Sequence, residues 1–275
     1  MVAGKLKDKI HEVEIIKVTE SIQGLCRFEG FYLEDGKHLE KPEPLPDRKI
    51  HFIGNSITCG YGIEVRDSSL HFSPETENFY DAYAALTSRI LDADWNVVAR
   101  SGIGVYRNYG EAVSGSTENM VNIHDRVFYD KPFPKWNFLL YQPAVVCVNL
   151  GTNDFSENKG DTSLFRINYD KFLDTLRSKY PTAKIVLLMG PMMNTELLKG
   201  ILIKLVHVRN IKGDDAFTFF EMSAQGSLGY GADWHPSREQ ARKNAAELAA
   251  YISKLTGWET IPFLQDTTIT LLKEK

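Results

Sequence analysis

The chain has 275 residues, 43% of them apolar and 25% charged, with a formal net charge of −4. That length holds one full α/β domain and a small appendage, and the balance is that of an ordinary globular protein. Such a charge gives no general hold on nucleic acid or anionic lipid, and no run is apolar enough to span a bilayer.

The N-terminal Lys5, Lys7 and Lys9 are interrupted by Asp8 and read as a solvated terminus. No apolar leader follows them. The compartment therefore stays open: extracellular or periplasmic if a leader has been removed, cytoplasmic otherwise. Residues 11–18 and 25–33 alternate in polarity around Ser21-Ile22-Gln23-Gly24, which predicts a β-hairpin. A lone hairpin is marginal in water and must pack on something, and its edges offer a contact for a homo-oligomer. Lys41-Pro42-Glu43-Pro44-Leu45-Pro46 is a stiff linker, so the expected division is 1–45, 46–256 and a tail at 257–275. That tail carries an alternating Thr267–Leu272 that could pair with the hairpin.

From Lys49 the pattern changes. Apolar runs at Ile50–Ile53, Trp95–Ala99, Ala144–Leu150, Ala183–Met189 and Ala216–Phe220 predict buried strands. Helical periodicity falls between and after them, near Asn78–Leu91, Ser163–Lys179, Thr195–Ile211 and Ser237–Leu255. Continuous apolar strands joined by helices specify an α/β fold with a parallel sheet covered on both faces, doubly wound and flavodoxin-like. Functional groups in such sheets gather at the C-terminal strand ends.

The first strand runs into Gly54-Asn55-Ser56-Ile57-Thr58, where glycine and serine suit a tight turn that presents a hydroxyl. A helix-capping serine reads equally well there. The second strand runs into Ser101-Gly102-Ile103-Gly104, whose glycines let backbone amides approach a ligand; an ordinary turn is the default. The third ends in Gly151-Thr152-Asn153-Asp154, with a carboxamide donor among common turn residues. Near the C-terminus, Ser237 and Gln240 form a capping box that starts a helix. His235 is thus fixed in the preceding loop by Pro236, beside Asp233 and Trp234. The other six histidines lie in polar, unremarkable or strand-interior settings. Asp233 and His235 lack further ligands at metal spacing. Three cysteines, Cys26, Cys59 and Cys147, do not describe a disulfide framework.

Together and in this order, the four blocks at Gly54–Thr58, Gly102–Gly104, Gly151–Asp154 and Asp233–Pro236 resemble those of the SGNH/GDSL hydrolases. The strings Phe52–Gly62, Gly104–Gly110 and Gly190-Pro191-Met192-Met193 are closer still to carbohydrate esterase family 2, the acetyl xylan esterase group. The resemblance covers roughly residues 49–255 and reaches back through Lys17–Glu20 and Gln23-Gly24. Three departures stand out. Asn55 replaces the Asp of the common opening. The acid lies two residues before the histidine, at Asp233, with Ala232 where the wider family has Asp. Only a hairpin remnant stands where that family carries a jelly-roll domain.

The resemblance implies a serine esterase that removes acetyl groups from a carbohydrate such as xylan, with no metal or organic cofactor. Ser56 would be the nucleophile and His235 its base, oriented by the Asp233 carboxylate or by a backbone carbonyl. The oxyanion donors would be the amides of Ser56 and Gly104 and the side chain of Asn153. Tyr106, Tyr109 and Trp234 beside these blocks are candidate sugar platforms, with scaffold packing as the alternative for each. Two other activities stay in play: a lipolytic esterase or acyl-thioesterase of the same fold, and a carbohydrate-binding protein without turnover.

Overall fold

The computed structural model describes residues 7, 9–192 and 195–262. Its centre is a sheet of five parallel strands: β1 (Lys49–Gly54), β2 (Asp94–Ala99), β3 (Val145–Asn149), β4 (Lys184–Met189) and β5 (Phe217–Glu221), in the order β2-β1-β3-β4-β5. Each falls within one residue of an apolar run in the sequence. The helices are α1 (Ser56–Cys59), α2 (Tyr83–Ile90), α3 (Met120–Ile123), α4 (Thr162–Lys179), α5 (Glu196–Ile211) and α6 (Arg238–Thr256). The expected helix from Asn78 starts instead as a 3-10 turn over Phe79–Asp81, and α2 follows it.

Both faces of the sheet are covered, which is why its strands read as continuous apolar runs. Alternate residues of β3 serve opposite layers. Val146 and Val148 pack with Phe165, Phe172 and Leu202 of α4 and α5, while Val145 and Cys147 pack with Leu86 of α2 and Leu248 and Ile252 of α6. Both layers are fully buried at these positions, each aliphatic side chain contributing about 1.5–3 kcal/mol. Register matters for function. Gly54 pairs with both Ala99 and Asn149, so β1, β2 and β3 end level and deliver their loops to one edge.

The N-terminal expectation is corrected. No strand forms among the described residues before Lys49; the segment carries only a 3-10 turn at Ser21–Gln23. Val13, Ile15, Leu25, Phe28 and Leu33 of the supposed hairpin are exposed, so its alternation has no apolar surface to pack on. The dimer edge expected of that hairpin goes with it. What docks is a short stretch: the Phe79 amide donates to Val18 O (2.8 Å) and the Glu20 amide to Glu77 Oε2 (3.0 Å). The tail pattern at Thr267–Leu272 lies outside the described residues.

Candidate active site

β1 ends at Gly54, where a Cβ would stand 2.0 Å from Thr58 Oγ1, so only glycine lets the chain turn directly into α1. Asn55 caps that helix. Its Oδ1 accepts the Ile57 amide (3.1 Å), and its backbone carbonyl accepts those of Thr58 and Cys59. An Asn performs this task as well as an Asp, which accounts for the departure from the common opening. Ser56 is the first helical residue, so its own amide has no intrahelical acceptor. The side chain is buried, with 7% of the residue exposed.

The partner arrives from 179 residues away. His235 Nε2 lies 2.9 Å from Ser56 Oγ, and Nδ1 lies 3.2 Å from the backbone carbonyl of Asp233. A carbonyl oxygen only accepts, so the proton of that bond sits on Nδ1. Nε2 is then left with its lone pair toward the serine hydroxyl. Burial pushes the imidazole pKa down to about 4, against the opposing pull of the Asp233 and Ala232 backbone and the Asp233 charge. His235 is therefore an unprotonated base throughout the neutral range.

Of the two orienting groups open to the sequence, the carbonyl makes the contact. The Asp233 carboxylate points elsewhere: it accepts Tyr61 Oη (2.8 Å) and the Phe72 amide (2.9 Å) on Oδ2, and His71 Nδ1 (2.8 Å) on Oδ1. Desolvation opposes its ionisation, but the bonds from His71, Phe72 and Tyr61 outweigh that and hold it below the usual carboxylate range. Asp233 and Trp234 both adopt left-handed backbone (φ 47° and 61°), unusual for non-glycine residues and costly to hold.

The loops after β2 and β3 leave the same sheet edge as the turn that carries Ser56. Asn153 is buried and donates one Nδ2 hydrogen to Ile103 O (2.8 Å), which leaves the second for a ligand. The Gly104 amide donates to Asn108 Oδ1 (3.1 Å). It serves an oxyanion only as a shared donor or once Asn108 lets go. A Cβ on Gly104 would stand 1.9 Å from Arg107 O, so the close approach there demands glycine. Among the candidate platforms, Tyr109 and Trp234 are exposed, at 65% and 59%. Tyr106 is not a platform. It is buried, and its hydroxyl accepts the Asp161 amide (2.5 Å) ahead of α4.

Several residues in this neighbourhood escaped the sequence reading. Tyr61 and His71 contact Asp233, although His71 looks like any surface histidine. Asn108 holds Gly104. Asp154 is fully buried and accepts the amides of Val105 (3.0 Å), Tyr106 (2.9 Å) and Arg107 (3.1 Å). Burial pushes its carboxyl up to about 6 against those three amides. Glycines beside Tyr61 and the position of Asp154 directly after Asn153 are the signals that could have drawn attention to them.

A Ser–His pair at the end of a first parallel strand, on the sheet edge from which the loop carrying Asn153 also leaves, is an arrangement suited to serine acyl hydrolysis. Residues 52–268 match the family of GDSL-like lipases and acylhydrolases. The chain belongs to that family. GDSL-like family membership places it among the carboxylic ester hydrolases. It is 40% identical to a cellulase/esterase, CelE, of Acetivibrio thermocellus over 94% of this chain and 31% of that one. The chain thus spans about a third of CelE. It is 30% identical to an acetylxylan esterase/glucomannan deacetylase of Cellvibrio japonicus, over 90% of this chain and 68% of that one. Among solved structures it resembles a family two carbohydrate esterase from Clostridium thermocellum in complex with cellohexaose. That likeness has a TM-score of 0.75 and 39% identity, and covers 81% of this chain and 68% of the other. Among the described residues no helix is long and apolar enough to cross a membrane.

Proposed function

We propose that this GDSL-family hydrolase removes acetyl groups from an acetylated carbohydrate, through an acyl-enzyme on Ser56. The observation that carries the reading is the 2.9 Å contact between Ser56 Oγ and the unprotonated Nε2 of His235. As Ser56 Oγ attacks the acetyl carbonyl, its proton passes to Nε2. The Asp233 carbonyl supports the imidazolium that forms, through Nδ1–H. Negative charge on the carbonyl oxygen is met by the Ser56 amide and the free Nδ2 hydrogen of Asn153. His235 then gives that proton to the departing sugar oxygen as the C–O bond breaks, so that the sugar leaves as a hydroxyl. Water, deprotonated by the same nitrogen, releases acetate and restores Ser56. The unit is a dyad completed by a backbone carbonyl. The names of the Cellvibrio and Clostridium relatives support the carbohydrate assignment, and the exposed rings of Tyr109 and Trp234 offer faces for a sugar.

The test is turnover of 4-nitrophenyl esters from C2 to C10, with acetate release from acetylated xylan and glucomannan, by wild type and Ser56→Ala. The expected result is a rate that peaks at C2, acetate release from at least one polysaccharide, and loss of both in the mutant. A peak at C8 or C10 would replace the sugar deacetylase by a lipolytic enzyme. Equal rates in wild type and Ser56→Ala would remove the serine mechanism.

A further inference from the structure

His235 is held on two sides. Its edge meets the Asp233 carbonyl and Ser56, and its face lies on Tyr61, with ring centroids 4.0 Å apart and planes at 28°. Tyr61 in turn stacks on Phe72, at 4.2 Å and 25°. The result is a three-ring pile, Phe72–Tyr61–His235, ending on the base. Two groups of that pile are bonded to one oxygen: the Tyr61 hydroxyl and the Phe72 amide both donate to Asp233 Oδ2. The backbone reinforces this. The Ala232 amide donates to Gly62 O (3.0 Å), and the Asp233 amide to Leu70 O (3.0 Å). A Cβ on Gly62 would lie 2.6 Å from that of Ala232, and one on Gly231 would lie 2.4 Å from Gly62 O. The two loops touch too closely for any other residue.

We propose that Tyr61 is the positioning residue for His235: its ring is the wall that fixes the imidazole plane, and the Asp233 carboxylate locks that wall through the Tyr61 hydroxyl. The inference rests on the esterase reading and deepens it. Asp233 then acts twice. Its carbonyl orients Nδ1–H directly, and its carboxylate acts at one remove, by holding Tyr61 and the left-handed turn that aims the carbonyl. Burial and Asp233 push the Tyr61 hydroxyl above its ordinary pKa, so it remains a donor at every working pH. The charged group that acts on His235 is Asp233; Tyr61 and His71 face it across that carboxylate.

The wall also supplies part of the burial that keeps the imidazole neutral, and this gives a readout that a merely structural residue would not move. In 15N-labelled protein the His235 ring is titrated by NMR, assigned by its loss in His235→Asn, alongside pH profiles of kcat and KM on 4-nitrophenyl acetate. In Tyr61→Leu, with the ring gone, the imidazole gains water. Its pKa should rise from about 4 toward 6.5, and the acid limb of kcat/KM should move to higher pH with it. kcat should fall about 10- to 100-fold with KM little changed, as for a misplaced base. Tyr61→Phe keeps the ring but loses its bond to Asp233 Oδ2, so its titration and rate should lie between those of wild type and Tyr61→Leu, the ring being the wall and the missing hydroxyl the lock. Asp233→Asn retains an oxygen to accept from Tyr61 and Phe72, so its loss should stay under about tenfold, where a triad carboxylate would lose about 10⁴. Asp233→Ala unlocks the same ring without truncating it; set against Asp233→Asn, which removes the same charge but keeps the lock, its His235 should titrate higher and its kcat should be lower, which covers the case in which the leucine variant does not fold. An unmoved His235 titration with wild-type kcat/KM in Tyr61→Leu would overturn the proposal, as would, where Tyr61→Leu does not fold, a titration and kcat/KM in Asp233→Ala equal to those of Asp233→Asn, and as would a 10⁴-fold loss in Asp233→Asn. The titration needs no turnover. If Ser56-dependent esterase activity were absent, the functional reading would fail while the Tyr61 contact was still judged by NMR.

Discussion

Asn153 is the residue whose contribution can be isolated most directly. One hydrogen of its carboxamide is used on Ile103 O, which ties the loop after β3 to the loop after β2. The other is free for charge that develops on a substrate carbonyl. The Gly104 amide is engaged by Asn108, so the stabilisation falls on fewer donors than the block pattern suggests. Asn153→Ala should therefore lower kcat on 4-nitrophenyl acetate by about 10²–10³ while leaving KM within a few-fold, since the donor is used chiefly when the oxygen is charged. A loss of less than about tenfold would shift the burden to Ser56 N–H and a released Gly104 N–H. Asn108→Ala then becomes informative. Freeing the Gly104 amide removes its competitor but also a bond from the loop, because Asn108 Nδ2 donates to Glu118 O (2.8 Å).

Among the elements, the strands of the sheet and its long helices are legible in the sequence because their apolar patterns reflect what they pack against. β3 is buried on both faces and reads as an unbroken apolar run, and Ser237 caps α6 with the Gln240 amide on its hydroxyl. The N-terminal segment alternates as a strand would, yet it forms none, since alternation records a preference and not the presence of a partner. Its attachment instead runs through buried acids that no pattern reveals. Glu20 Oε2 accepts the Ser101 amide (2.7 Å), beside the loop that carries Gly104, and Glu77 accepts the amide of Glu20. Glu77 is buried beside the Glu20 carboxylate, and desolvation first and that charge second raise its pKa to about 8. A carboxyl raised above its unfolded value binds its proton more tightly in the folded chain. Its contribution to stability is whole below about pH 4.5 and is lost as pH rises through about 8. Glu77→Gln keeps an acceptor for the Glu20 amide and adds a donor toward the Glu20 carboxylate without a titrating proton. The urea midpoint of the mutant should thus exceed that of wild type at pH 8 and vary less between pH 5 and 8. A wild-type slope retained in Glu77→Gln would assign the pH dependence to other groups.

Over the full chain, the site depends on loops that meet across long sequence separations, and this decides what could be read beforehand. Chemistry carried by adjacency is visible: Gly54 and Ser56 behind a buried strand, or His235 framed by Pro236 ahead of a capped helix. Chemistry carried by one loop lying over another is not. Tyr61 on His235 is one instance, and Arg107 with Asp154 is the other. Arg107 is fully buried and donates through Nη1 to Asp154 O (3.2 Å), to Ser156 O and Oγ (3.1 Å each) and to Lys159 O (3.1 Å). Asp154 returns the bond by gathering the amides of residues 105–107 on its carboxylate. The loops after β2 and β3 therefore behave as one body, and both oxyanion candidates outside α1 ride on it. Asp154→Asn tests the strap. A carboxamide has one acceptor oxygen and places its NH2 among amide donors, so at least one buried N–H is left without a partner. That should cost about 1–3 kcal/mol per orphaned donor in chemical unfolding. It should also lower kcat more than the binding of substrate, because the displaced groups are those proposed to meet the developing charge. If stability fell by that amount while kcat held, the two loops would share a scaffold without sharing the oxyanion geometry. The placement of Asn153 would then rest on its bond to Ile103 alone.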